Sequence, residues 1–161
     1  MRALPLMSDP AEFPKSVELA TTCPLCDDSG GQLLVRHAQY RVVLAPEPDY
    51  PGFCRVIWNR HVRDMTDLDT TERTLLMAVV WQVEQALREL LQPDKINLAS
   101  LGNVVPHLHW HVIPRYHDDA HFPQAVWSEP LRTTPAERLA QRRAQLPALQ
   151  ALLMRRLAPF S

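Results

Sequence analysis

Apolar and polar residues alternate in short runs through the first third of the chain, and a period of two marks half-buried strands. QLLVR (32–36) and YRVVLA (40–45) predict two strands with a short connection, a hairpin. PEPDYPG (46–52) holds three prolines and Gly52 and reads as a loop. FCRVIW (53–58), rich in aromatic and β-branched residues, predicts a third strand. The period then changes. Leu75, Val79, Val83, Ala86, Leu87 and Leu90 recur at steps of three and four, with Leu76, Val80 and Trp81 widening the face. This predicts an amphipathic helix from about Thr70 to Leu91, with Asp69 and Glu72 forming a capping box and Pro93 ending it. KINLASL (95–101) and HLHWHVIP (107–114) are the fourth and fifth strand candidates. PAERLAQRRAQLPALQALLMRRL (135–157) predicts a second helical stretch, which Pro147 should break or bend.

These elements predict an α+β fold: a mostly antiparallel five-stranded sheet, one long helix and a C-terminal helix. The expected organisation is a flexible N-terminal leader over 1–22, a domain over 23–127 and a C-terminal helical extension over 128–161.

Composition narrows the partners. A chain of 161 residues fits one domain with one sizeable core. Seventeen basic residues against eighteen acidic ones give a net charge of -1, which argues against a nucleic-acid partner but not against a small anion held locally. No run approaches the roughly 18 apolar residues that span a bilayer, so no membrane partner is expected. Pro5, Asp9, Pro10, Glu12 and Pro14 stand where a signal peptide carries its apolar run, so the segment reads as a leader and not as a targeting signal. Cys23, Cys26 and Cys54 form an odd, small set, which points to a reducing, cytoplasmic setting.

The densest chemistry is His107-Leu108-His109-Trp110-His111. On a strand, alternate residues share a face, so three imidazoles would line one side at about 6.6 Å intervals, from a rise of roughly 3.3 Å per residue. Leu108, Trp110 and Val112 would pack on the other. Burying histidines without partners is costly, which favours a metal site or a phosphate-handling site over a plain exposed strand face. At a phosphate, a neutral middle imidazole can attack phosphorus, provided its other nitrogen is held as a donor. The third can hydrogen-bond phosphate or leaving-group oxygen as charge develops. Cys23-Pro24-Leu25-Cys26 has the spacing of two thiolates on a tetrahedral zinc ion, whose other ligands must be distant in sequence. Two free thiols are the alternative. Cys54, inside a strand, reads as core, and His37, His117 and His121 as surface or loop residues.

HLHWHVIPR resembles the signature of the histidine-triad (HIT) family. The resemblance extends upstream through INLASLGNVVPHLHWH and CRVIWNRHVRDMTDL and covers about residues 23 to 115. It implies that His109 is the nucleophile that becomes nucleotidylated, that His111 contacts the scissile phosphate, and that Asn97 and Asn103 bind phosphate or ribose. It also implies that the zinc ligands are Cys23, Cys26, His61 and His107, as in HIT branches and related galactose-1-phosphate uridylyltransferases with a structural zinc. The implied activity is hydrolysis of a nucleoside phosphoramidate, a dinucleoside polyphosphate or a related adenylated compound. The alternatives are a nucleotidyltransferase of the uridylyltransferase type and a non-catalytic nucleotide-binding module. The implied partners are a small nucleotide and a second copy of the chain in a homodimer. The sequence departs from the family pattern at Val104, where a Ser or Thr is common, at Asn103, where Gln is common, at Phe53, which ends a Pro-Gly-His in many members, and at Ala45, where an acidic or Asn residue grips ribose. Glu47 and Asp49 are near enough in sequence to serve in that last role.

Overall fold

The computed structural model describes residues 23–160. The leader expected over 1–22 lies outside them. A short helical turn, α1 (Pro24–Asp27), precedes the hairpin of β1 (Gln32–Arg36) and β2 (Tyr40–Leu44). Then come β3 (Cys54–Trp58), the long helix α2 (Thr70–Leu91), β4 (Lys95–Ala99) and β5 (His109–Arg115). Two helices, α3 (Ala136–Ala144) and α4 (Leu146–Leu157), complete the chain. The five strands form one sheet in the order β1-β2-β3-β5-β4, and every neighbouring pair is antiparallel. The α+β fold is the one expected.

Alternation gives the sheet two different faces. Val42, Val56 and Trp110 stand in register on one of them, with Leu44, Cys54 and Val112 in register beside them, and α2 and α4 cover it. Leu76, Val79, Val80, Val83 and Leu87 of α2 meet Leu149, Leu153 and Leu157 of α4 in this core. The opposite face carries Arg41 and Val43 of β2, Arg55 and Ile57 of β3, and His109, His111, Ile113 and Arg115 of β5. Among the described residues, neither α2 nor α4 packs on that side. The turn around α1 covers one end, where Leu25 packs on Val43 and Ile57. At the other end Tyr50 and Phe53 pack with Ile113.

The expected capping box forms: Asp69 accepts from the Glu72 backbone N–H at 2.9 Å, and Glu72 accepts from that of Asp69 at 3.1 Å. Gln92, at φ 44°, turns the chain out of α2 just before Pro93. Gly31, at φ 149°, lies against β2 so closely that a Cβ would come within 2.1 Å of the Leu44 carbonyl oxygen. Only glycine lets the chain leaving α1 run this near the hairpin.

The break expected of Pro147 is present: the second helical stretch is two helices divided at Gln145, and Pro147 lies in the first turn of α4, where its missing N–H costs no hydrogen bond. Two other expectations need correction. Trp81 is 53 % exposed and does not widen the buried face of α2. The strand of the histidines begins at His109, so His107 lies just ahead of it, and the strand continues past Pro114 to Arg115.

Candidate functional site

His109 and His111 emerge from β5 on the uncovered face, with ring centroids 4.7 Å apart and nearly perpendicular planes. Nδ1 of His109 donates to the carbonyl oxygen of His107 at 2.6 Å. That bond fixes the tautomer, leaving Nε2 with its lone pair. Both rings line a cavity of about 300 Å³ together with Gly102, Asn103, Val105 and Trp127. Gly102, at φ 73°, shapes the loop that forms one wall. Val104 is 94 % exposed at its rim.

Burial lowers the pKa of both imidazoles. His109 is pulled down by desolvation, partly offset by its bond to the His107 carbonyl, with the nearby Arg55 charge adding to the fall. His111 is lowered to about 4, first by desolvation, then by His109 and Arg55. Phe53 and Trp127 stand edge-on to the His111 ring at 5.5 and 5.4 Å. Both histidines are therefore neutral near pH 7, the state a nucleophilic imidazole requires. Nδ1 of His111 is buried and has no hydrogen-bond partner among the described residues.

One turn of chain away, the distant ligands expected for the CxxC pair converge. Sγ of Cys23 lies 3.4 Å from Nδ1 of His107, and Sγ of Cys26 lies 3.4 Å from Nδ1 of His61 and 3.5 Å from that of His107. All four ligand atoms fall within 4.8 Å of one another. Zinc distances of about 2.3 Å to sulfur and 2.0–2.1 Å to nitrogen give tetrahedral edges of roughly 3.3–3.8 Å. The donor set fits a four-coordinate zinc in chemistry, and the three sulfur–nitrogen separations of 3.4–3.5 Å fit it in spacing. His107 donates its remaining nitrogen, Nε2, to the Trp58 carbonyl at 2.6 Å, which orients the ring toward the thiols. Cys54 stands apart, fully buried, its thiol pushed up to about 12 by desolvation.

Arg41 fastens this corner. Its buried guanidinium donates to the carbonyls of Leu25 at 2.5 Å and Ser29 at 2.9 Å, and to Asn59 at 3.1 Å. It thereby ties the turn carrying both cysteines to the sheet. At the far end of β5, Arg115 and Asp119, exposed by only 2 % and 1 %, form a pair at 2.8 Å. Arg115 also donates to Oδ1 of Asn97 at 2.7 Å and to the Gln124 carbonyl at 2.7 Å. Asn97 thus shares the face of the histidines, with its side-chain oxygen engaged by Arg115. The same pair holds the segment that returns Trp127 over His111. His121, beyond Asp119, bonds with the Tyr50 hydroxyl. Ala45, Glu47 and Tyr50 line another cavity, of about 430 Å³.

Sequence reasoning missed the arginines. Their signal was present: YRVVL and CRVIW each interrupt an apolar strand with one cation, two residues from its neighbours on the same face. It is visible only once that face is known to be the one with the histidines.

The sequence profile of the HIT domain matches residues 29–118. An AP-4-A phosphorylase of Mycobacterium tuberculosis is 28 % identical over 124 residues, covering 73 % of this chain and 64 % of that protein. An asymmetrical bis(5'-nucleosyl)-tetraphosphatase of Schizosaccharomyces pombe is 30 % identical over 105 residues, covering 62 % and 58 %. The chain therefore spans less than two thirds of the length of these relatives. A histidine triad protein from Bradyrhizobium japonicum superposes with a TM-score of 0.64 at 26 % identity, covering 80 % of this chain and 91 % of that one. A zinc-bound histidine triad family protein from Mycobacterium smegmatis has the same fold, with a TM-score of 0.54 at 24 % identity over 81 % and 96 % of the two chains.

Proposed function

This chain belongs to the HIT domain family, and from that premise we propose that it cleaves a dinucleoside polyphosphate or a related adenylated compound through a nucleotidyl-His109 intermediate. The carrying observation is the bond from His109 Nδ1 to the His107 carbonyl, which leaves Nε2 nucleophilic beside a cavity of about 300 Å³. Nε2 gives its lone pair to the α-phosphorus. A P–N bond forms, the P–O bond to the leaving phosphate chain breaks, and that chain departs with the electron pair. His111 and Asn103 line the same cavity and stabilise the phosphoryl oxygens. A water oxygen then attacks phosphorus and releases a proton to solvent, the P–N bond breaks, its electrons return to Nε2, and the nucleoside monophosphate leaves. Inorganic phosphate in place of water would give the phosphorolysis named for the M. tuberculosis relative. Asn97 holds the site through Arg115 and is a second candidate for ribose or phosphate contact.

The Cys23, Cys26, His61 and His107 cluster is read as a structural zinc site, supported by the donor spacing and by the zinc-bound M. smegmatis neighbour. Four protein ligands leave no open position for water, so the ion would clamp the cysteine turn to the start of β5. Zinc-ligating thiols suit a reducing, cytoplasmic setting. None of the described helices is long and apolar enough to cross a membrane. The homodimer carried by the family resemblance is consistent with the exposed Trp81 on α2.

The direct test is to mix the protein with a slowly cleaved adenylated substrate, quench in base and map the adduct by mass spectrometry. AMP on His109 supports the reading. Turnover in which no histidine carries AMP removes it.

A further inference from the structure

Three arginines project from the sheet face that carries the histidines, and they are not equivalent. Arg41 and Arg115 each reach three or more acceptors. Arg55 does not. Its Nη1 donates to the Gly30 carbonyl at 3.1 Å, its Nη2 lies 3.9 Å from the more exposed Glu47 carboxylate, and its buried Nε has no partner among the described residues. The side chain is 21 % exposed. A guanidinium offers five donors, and withdrawing one from water without a close carboxylate is unfavourable. A leucine or valine at this strand position would serve the fold better.

Position accounts for it. Arg55 pairs in register with His111, so both side chains leave the sheet on one side. Its positive charge reaches both imidazoles, contributing to the lowered pKa of each. It lines a groove of about 560 Å³ with Gly30, Gln32, Pro46 and Val105. Val105 also borders the histidine cavity, so the two spaces share that residue as a wall. An anionic chain attached to a phosphorus at His109 and running out past Val105 comes to the guanidinium. Glu47, long and exposed as a partner, gives way readily to phosphate oxygens.

We propose that Arg55 binds the phosphate chain beyond the phosphorus attacked by His109, and so selects nucleoside polyphosphates over phosphoramidates and other adenylates lacking such a chain. This rests on the His109 reading above for the placement of the scissile phosphorus. The residue is a specificity determinant of the leaving-group side, distinct from the groups that hold the attacked phosphoryl.

The test separates the two readings. Inorganic tripolyphosphate and AMP are titrated calorimetrically into wild type, Arg55→Gln and Arg55→Lys, and kcat/KM is measured on diadenosine tetraphosphate and adenosine 5'-phosphoramidate. Arg55→Gln is expected to weaken tripolyphosphate at least tenfold and AMP much less, with Arg55→Lys intermediate. Its loss of kcat/KM on the tetraphosphate should exceed that on the phosphoramidate at least tenfold. Equal weakening of AMP and tripolyphosphate overturns the proposal, as does wild type that fails to bind tripolyphosphate. Arg55→Met, of similar length and apolar, replaces the Gln variant if that one folds poorly. Wild type that binds tripolyphosphate through Arg55 but forms no adduct on His109 sinks the cleavage reading while leaving the Arg55 assignment standing.

Discussion

The carbonyl oxygen of His107 accepts the Nδ1 proton of His109 at 2.6 Å, while the ring of His107 faces Cys23 and Cys26. One residue therefore joins the Cys/His cluster to the proposed nucleophile: its side chain belongs to the cluster and its backbone sets the neighbour's tautomer. Disturbing the cluster should be felt in catalysis, with no ion taking part in the chemical step. Cys23→Ala is expected to lower zinc from about one per chain, to lower the melting temperature and to reduce kcat more than it raises KM. Elemental analysis, thermal melts and steady-state kinetics decide it. Wild-type protein that is fully folded and free of metal would refute the zinc assignment.

His109→Ala should abolish the trapped adduct and reduce turnover about a thousandfold or more, because the covalent route is lost. Nucleotide affinity should survive, since the cavity walls remain. Calorimetry with AMP and the quenched adduct assay read the two effects separately. A variant that keeps its turnover excludes the nucleophile.

Trp127 stands edge-on to His111 and lines the cavity. Removing its indole should weaken substrate binding, by about 1–3 kcal/mol if a base stacks on it. Trp127→Ala is expected to raise KM at least fivefold with a smaller change in kcat. Trp127→Phe should recover most of the loss. An unchanged KM would place the indole outside the bound state.

Asp119 is the buried carboxylate that matches Arg115. Its removal leaves a desolvated guanidinium, which costs about 3–5 kcal/mol. Asp119→Ala should therefore lower the urea midpoint strongly. It should also free the segment over His111, detectable as faster amide exchange across 116–127. Mild destabilisation with intact protection there would contradict the anchoring role.

Stability should depend on the protonation of His111. Its pKa is lowered from 6.5 to about 4 in the folded chain. Between those values the unfolded chain binds the proton and the folded chain does not, so stability falls as pH falls through that window and levels below it. Urea denaturation of wild type and His111→Gln at pH 7 and pH 5 isolates this contribution. Wild type should lose more on acidification than the variant. Parallel losses would show that His111 is not the titrating group.

Much of the fold was readable because local and global preferences agree. Alternation in YRVVL and CRVIW and the three-four spacing from Leu75 to Leu90 each matched the element formed, and Asp69 with Glu72 marked the start of α2. The convergence of Cys23 and Cys26 with His61 and His107 also followed from residues that resemble a known pattern. What escaped depends on contacts between segments far apart in sequence. Whether Arg115 meets Asn97, or Trp127 folds back onto His111, is settled by how strands pair and where an irregular segment returns. Trp81 fits the helical period yet faces outward, because a period gives the width of an apolar stripe less sharply than its centre.

In the proposed reading, positions 107, 109, 111 and 115 serve in turn as ligand, nucleophile, phosphate contact and anchor, two residues apart or four, along one stretch of chain. Such an arrangement tolerates exchange of one apolar residue for another at 108, 110 and 112. It does not tolerate a change in length. A single inserted or deleted residue would rotate everything downstream by half a turn, sending imidazole into the space of valine and valine into the nucleotide cavity. Insertions should consequently be confined to the loops flanking this stretch, however freely its inward-packing residues drift.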